Sequence, residues 1–509
     1  MKGALLVCGT HSDAGKSVLA AGICRWLHRQ GVSVAPFKAQ NMSLNSVVTL
    51  DGGEVGRAQA VQAAAAGLEP ETAMNPVLIK PSGVRHSQVI VMGKPYADAD
   101  SRSYGAMKQA LRPIVSAALS DLRSRYDVVV CEGAGSPAEI NLRANDLTNM
   151  WLAREANLPT VIVADIDRGG VFASLFGTLA LLDPADQAQV AGFVINKFRG
   201  DDTILAPGLA HLKERTGRPT LGVLPFVEDL WMDVEDSLAL DAARPEEPAA
   251  TGGDTLDVAV LRLRWISNFT DADALGTEPG VRVRFTRSAA DLERADLVVI
   301  PGTKATVEDL ERLRAQGLDR VLRARAAAGG PILGICGGYQ LLGERIEDDV
   351  ESGRGIVEGL GLLPVRTRFE ASKLLRRRHG SSPLLRTAAS GYEIRHGRMQ
   401  RTGGEALLVD DDGEPDGCVA GAVIGTAWHG ALEHDDFRRA LLTRVADARG
   451  RRFVPGSGAF AAVRAARLDA LGDLVTTHLD TAALTALIET GAPIDLPTIE
   501  TEVRPCCAS

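Results

Sequence analysis

The sequence has no excess of positive charge: 56 Lys and Arg stand against 65 Asp and Glu, a formal net charge of −9. Proteins that track phosphodiester backbones need a basic surface, so no nucleic-acid partner is expected. Long hydrophobic runs are also missing. No stretch reaches the ~20 apolar residues that span a bilayer, and Met1 to Gly9 holds too short an apolar run for a signal peptide. A soluble protein with no membrane partner is expected. The 7 cysteines, Cys8, Cys24, Cys131, Cys336, Cys418, Cys506 and Cys507, show no paired metal-ligand spacing in the body of the chain, which fits a reduced, cytoplasmic setting. There is no internal repeat.

What is present is a chain of 509 residues, 45% hydrophobic and 24% charged, long enough for two or three domains. Short apolar runs alternate with helix-length segments: Leu5 to Cys8, Val34 to Phe37, Val128 to Cys131, Val161 to Ala164 and Gly192 to Ile195. Buried strands separated by helices predict a doubly wound, mostly parallel α/β domain over 1–240. Residues 241–254, rich in Pro, Gly, Ala and acids, suit a linker. A second series, Val258 to Leu263, Val281 to Phe285, Leu297 to Ile300, Ile332 to Ile335 and Ala422 to Ala427, predicts another doubly wound α/β domain over 255–445. Residues 446–509 read as a helical or irregular extension with an amphipathic helix around Leu468 to Leu479.

Directly after the first strand stands Gly9-Thr10-His11-Ser12-Asp13-Ala14-Gly15-Lys16-Ser17, leading into a helix. Small residues let backbone N–H groups approach phosphate oxygens, Lys16 neutralises phosphate charge and Ser17 is placed to ligate Mg²⁺. The glycine usual at position 10 is Thr10, and Gly9 comes one residue early. ATP contacts are therefore expected from Gly9, Thr10, Ser12, Gly15, Lys16 and Ser17, with Lys38 at the end of the second strand facing phosphate or a carboxylate. Glu132 and Asp165 sit at the carboxyl ends of strands, where ligands of parallel sheets collect, so each is a candidate Mg²⁺ ligand beside Ser17. Acids at such places also cap helices, and both roles stand open. Asn196 is placed either to hydrogen-bond a nucleotide base or to form a turn.

In the second domain Pro331-Ile332-Leu333-Gly334-Ile335 runs into Cys336-Gly337-Gly338-Tyr339-Gln340. A cysteine on a sharp strand-to-helix turn has an accessible sulfur in the field of a helix N-terminus, the setting of a nucleophile. The segment resembles the nucleophile segment of class I glutamine amidotransferases. Of the 9 histidines, His429, ending the run Ile424 to Trp428 and preceding Gly430, is the best-placed base; His396 is a weaker candidate, fitter for substrate binding or packing. Glutaminases of this class carry a glutamate two residues beyond the histidine, where this chain has Ala431. That fits the cobalamin-type branch with its Cys-His dyad, and Glu433 or another group is left to orient the ring. Backbone N–H groups at Gly302 or Thr303 are candidates for the oxyanion hole.

The phosphate loop resembles that of dethiobiotin synthetase and its relatives. Longer segments, Phe37 to Asn45, Gly56 to Ala60, Met74 to Leu78, Glu132 to Asn141 and Ile266 to Asp271, resemble the cobyric acid synthase family, from residue 1 to about 445. The resemblance implies amidation of the b, d, e and g carboxylates of a corrinoid, adenosylcobyrinic acid a,c-diamide, with glutamine, ATP and Mg²⁺. It further implies a synthetase-site role for Asp146, here expected to handle the activated carboxylate. The chemistry is coherent on its own terms. A carboxylate resists ammonia until phosphoryl transfer gives its oxygen a leaving group, and Cys336 with His429 releases nitrogen from glutamine through a thioester. Rival readings are a cobyrinic acid a,c-diamide synthase and, more remotely, a partitioning-type ATPase switch carrying an inactive glutaminase module. Homo-oligomerisation stays open.

Overall fold

The computed structural model describes residues 1–82, 86–227, 249–250 and 252–499. Strands β1 (Gly3–Gly9), β2 (Val34–Phe37), β3 (Val128–Glu132), β4 (Thr160–Asp165), β5 (Val190–Phe198) and β6 (Thr220–Pro225) form an all-parallel sheet. Its order is β6-β5-β4-β1-β3-β2. The central strands are apolar along their length because helices cover both faces; Leu5, Leu6, Val7 and Cys8 of β1 are fully buried.

The second sheet comprises β7 (Leu256–Leu261), β8 (Val281–Thr286), β9 (Leu297–Ile300), β10 (Ile332–Ile335), β11 (Cys418–Ala420) and β12 (Val423–Thr426). Its order is β8-β7-β9-β10-β12-β11, parallel except where β11 joins β12. The helices that carry or support the sites are α1 (Lys16–Arg29), α2 (Arg57–Ala65), α3 (Met150–Glu155), α4 (Gly337–Leu342), α5 (Phe460–His478) and α6 (Thr481–Thr490).

Two additions to this plan were not expected. Between β2 and β3 the chain builds a small sheet from Gln40–Met42, Val77–Pro81, Ser87–Val91 and Lys94–Ala99, beside the strand pair Ser46–Val48 and Glu54–Gly56. In the second domain a long hairpin, Val365–Ser382 and Thr387–Arg401, packs against the turn that carries His429, with mutual backbone hydrogen bonds of 2.9 Å between Tyr392 and His429.

The tail leaves the second domain's core at Phe460 and from Leu468 onward packs on the first domain. Residues 241–248 and 251 of the expected linker, and Cys506 and Cys507, lie outside the described residues. The helix expected around Leu468 to Leu479 runs Phe460–His478 and lies on α1, with Arg25 Nε 2.9 Å from Asp469 and Arg29 2.6 Å from Asp473. Leu471, Val475, Leu484, Leu487 and Ile488 share one core with Leu19, Ile23 and Leu27 of α1. Burial of each such side chain contributes about 1.5–3 kcal/mol, so the last helices complete the layer over β1.

Candidate active sites

The phosphate loop wraps the carboxyl end of β1. Gly15 stands at φ 107°, and a Cβ there would lie 2.0 Å from Asn196 Nδ2, so only glycine suits both the torsion and the space. Asn196 Nδ2 donates to Ala14 O at 3.1 Å and its Oδ1 accepts from Lys197 N at 2.9 Å. Its carboxamide shapes the loop, the turn-forming alternative, rather than standing ready for a base. Thr10 Oγ1 lies 2.9 Å from His11 Nδ1, Ser12 is exposed, and Gly9 packs beneath the Lys16 stem. Lys16 folds over the loop to His11 O at 2.9 Å and Gly135 O at 3.2 Å. Burial, then Arg168, holds His11 below its ordinary pKa, with Lys16 and Lys197 adding to the effect. The loop is thus an electropositive cradle suited to anions.

Glu132, at the end of β3, is fully buried. Its carboxylate accepts from Ser17 Oγ at 2.7 Å, Lys38 Nζ at 3.0 Å and Gln62 Nε2 at 2.5 Å. Burial opposes the charge, but Lys38 and these hydrogen bonds hold the group below the usual carboxylate range. A hydroxyl and a carboxylate in contact at a phosphate loop fit Mg²⁺, which takes few protein oxygens and leaves the rest of its shell to water and phosphate. Among the described residues no group of three or more His, Cys, Asp and Glu could cage a metal. Asp165 is engaged otherwise: Lys197 Nζ lies 2.7 Å from Oδ2 and Asp167 N 2.8 Å from Oδ1. It braces Lys197 against the loop rather than completing the Ser17–Glu132 pair.

Asp146 precedes α3. Its Oδ1 accepts from Thr148 N and Asn149 N, each at 3.0 Å, and Oδ2 from Trp151 N at 2.9 Å. Both oxygens serve a helix entry, and the Asn149 side chain in turn reaches Ala134 O at 2.8 Å. Asp146 thus fixes the segment after Glu132 through backbone N–H groups.

In the second domain β10 ends at Cys336, whose φ of 50° and ψ of −105° mark a strained turn into α4. A Cβ on Gly338 would lie 1.9 Å from Ile300 O, so glycine there lets the helix close onto β9. The Cys336 thiol, whose hydrogen bond goes to Ile394 O at 3.8 Å, lines with His429 a narrow cleft also bordered by Ser267, Thr303, Gln340 and Arg395. Gly302 and Thr303 pair with Ser267 and Ile266 beside it; a Cβ on Gly302 would lie 2.9 Å from His429 Cε1, and one on Gly337 2.7 Å from Thr303 N. His396 also lines the cleft, with Nδ1 held by Glu370 O at 2.9 Å, so it packs at the wall.

The group that orients His429 is Asp271, which sequence reasoning passed over. Its Oδ2 lies 2.6 Å from Nδ1 and its Oδ1 accepts from Gly430 N at 2.7 Å. Burial disfavours the imidazolium, but Asp271 and Cys336 overcome it and lift His429 to about 10. Glu433 faces away, 2.6 Å from Arg57 and 3.0 Å from Arg464. The signal was the segment Ile266 to Asp271, noticed only as a resemblance. Nothing in its spacing ties an acid 158 residues upstream to a histidine.

The two domains meet at this cleft. Lys80 from the small sheet of the first domain lines it together with Lys373 of the hairpin; both ammonium groups pair with the fully buried Glu54. Ser46 N donates to Asn268 Oδ1 at 2.8 Å. Lys304, paired with Glu351, stands between the cleft and a cavity of about 890 Å³ walled by His86, Gln88 and Tyr96 of the first domain and Glu308 of the second.

A nucleotide cradle and a Cys-His-Asp glutaminase centre in one chain define a glutamine-hydrolysing, amide-forming ligase. Residues 5–239 match the model for the CobQ/CobB/MinD/ParA nucleotide binding domain, and 257–437 that for the CobB/CobQ-like glutamine amidotransferase domain. A cobyric acid synthase of Frankia casuarinae is 58% identical over 98% of this chain and 99% of its own. One of Streptomyces avermitilis matches equally, and one of Mycolicibacterium smegmatis is 54% identical over 99% of each chain. The chain belongs to the cobyric acid synthase family. Among the described residues no helix is long and apolar enough to cross a membrane.

Proposed function

We propose that the protein amidates the b, d, e and g carboxylates of adenosylcobyrinic acid a,c-diamide to give cobyric acid, spending glutamine and ATP. The observation that carries this reading is the assembled line Cys336–His429–Asp271 opening on a cleft that the synthetase domain helps to wall through Lys80. The Cys336 sulfur attacks the carboxamide carbon of glutamine, and the oxyanion is met by backbone N–H groups at Gly302 and Thr303. His429, held by Asp271, gives its proton to the departing nitrogen as the C–N bond breaks, leaving a thioester and ammonia. Water, deprotonated by His429, then releases glutamate and restores the thiol.

In the first domain a carboxylate oxygen of the corrinoid attacks the γ-phosphorus of ATP, forming an acyl phosphate as the bond to the β-phosphate oxygen breaks and ADP leaves. Lys16 and Lys38 neutralise charge, while Gly9 to Ser17 direct backbone N–H groups at the phosphates. Mg²⁺, held by Ser17 and Glu132, would supply further neutralisation of phosphate charge. Asp146 keeps the segment from Ala134 to Asn149 in place. Ammonia attacks the acyl carbon, forms the amide and expels phosphate.

The test is mass spectrometry of the diamide incubated with protein, Mg²⁺, ATP and glutamine. Stepwise conversion of acids to amides is expected; an unchanged corrinoid beside active glutaminase would sink the assignment. Cys336→Ala is expected to lose glutamine-driven synthesis by about 10³-fold or more while ammonia-driven synthesis persists.

A further inference from the structure

One helix touches both centres. Gln62 of α2 donates to Glu132, the carboxylate that also holds Ser17 and Lys38. Five residues earlier, about 7 Å along the same helix, Arg57 crosses the domain boundary to Glu433 at 2.6 Å. Glu433 ends the turn Ala431–Glu433 that directly follows His429 and Gly430. A second link runs in parallel. Lys38 O accepts from Asn75 Nδ2 at 3.1 Å, Asn75 Oδ1 accepts from Gly56 N at 3.0 Å, and Gly56 is the residue before α2. From the start of the helix, Arg57 N reaches Asn45 O at 3.0 Å, and the next residue, Ser46, holds Asn268, three positions before Asp271.

Both supports of the catalytic imidazole, the turn after His429 and the turn carrying Asp271, are thus gripped by the segment that reads Glu132 and Lys38. Arg57, Gln59 and Gln62 are buried, so α2 has little room to move without moving its partners. A ligand that draws Lys38 toward phosphate, or Glu132 toward Mg²⁺, pulls on one end of this rod.

We propose that α2 couples loading of the synthetase pocket to the glutaminase, with Arg57 and Glu433 as positioning residues that set His429 and Asp271 against Cys336. The inference rests on the amidotransferase reading above. It goes beyond that reading by naming the device that keeps ammonia release in step with acid activation. Ligand gain and loss at one site then change the other by the modest factor typical of coupled sites, roughly 5- to 150-fold.

The experiment compares the full-length protein with Arg57→Met and Arg57→Lys, using ammonia- and glutamine-driven amidation and the rate of Cys336 alkylation by iodoacetamide with and without Mg²⁺-ATP. For Arg57→Met the expected results are ammonia-driven synthesis within about twofold of the parent, glutamine-driven kcat down about tenfold with KM for glutamine less affected, and an alkylation rate no longer responsive to nucleotide. Arg57→Lys should restore part of each. Parent-like behaviour of Arg57→Met, equal loss with both nitrogen sources, or a parent whose Cys336 alkylation ignores nucleotide would overturn the coupling. A parent that amidates nothing from either source would instead overturn the functional reading beneath it.

Discussion

The two reactive centres differ in how their working groups are engaged. At the glutaminase centre the imidazole is held by Asp271 and lines one cleft with the Cys336 sulfur. At the nucleotide pocket the main charged groups are engaged with protein: Lys16 with loop carbonyls, Glu132 with Lys38 and Gln62, Asp165 with Lys197. A preorganised centre needs no rearrangement to act, whereas these pairs must exchange partners when phosphates arrive. The comparison teaches where control belongs. The centre that must rearrange is the one able to report that substrate is present.

The sharpest test of preorganisation is Asp271→Asn. Without the carboxylate, burial is left to pull His429 down and the ring loses its anchor, so glutamine-driven kcat should fall about 10²- to 10⁴-fold while ammonia-driven synthesis holds. The sign with pH follows from the raised value of about 10. Stability from the Asp271–His429 pair is fully present below the ordinary histidine value near 6.5 and is lost as pH rises through about 10. In the variant the basic limb of the glutaminase profile should move to lower pH. An unmoved limb would mean that Asp271 merely packs.

The opposite centre is probed by Lys16→Met. Synthesis from both nitrogen sources should drop by about 10²- to 10³-fold, the scale for losing one charge-stabilising group, with glutamate release in the absence of nucleotide near the parental rate. Selective loss with glutamine alone would erase the distinction between the centres.

Much of this was legible in the sequence where one contiguous segment does the work. The runs Val34–Phe37, Leu297–Ile300 and Ile332–Ile335 are strands with those bounds, because strands buried on both faces are uniformly apolar. The phosphate loop and the Cys336 turn were equally plain, each being a strand, a glycine-rich corner and a helix in sequence. The small sheet between β2 and β3 was not, since its strands are short and its apolar runs, Val77 to Ile79 and Val89 to Val91, are only three residues long within their strands. Asp271 was missed for a related reason. Its partner is set by the pairing of Ile266–Ser267 with Gly302–Thr303, a tertiary fact that local periodicity does not encode. Asp146, named through the resemblance, and Asn196, at a strand end, show the converse: their side-chain hydrogen bonds go to backbone groups that no local pattern announces.

The smallest effect concerns the scaffold. Because α5 and α6 cover α1, the helix that carries Lys16 and Ser17 is stabilised by the far end of the chain as well as by its own sheet. Leu471 is 1% exposed and packs in the core shared with α1. Leu471→Ala should therefore cost about 2–5 kcal/mol, felt first as local opening, since a cavity under α5 loosens that helix before the sheet beneath. Hydrogen exchange in α5 and α1 is expected to accelerate more than exchange around Cys336 and His429, because Leu471 lies in the core shared with α1, whereas α5 meets the glutaminase core at its first turn, through Phe460 and Arg464. Uniform acceleration across both domains would show that the protein opens as one unit and that the difference between the centres is not matched by a difference in their supports.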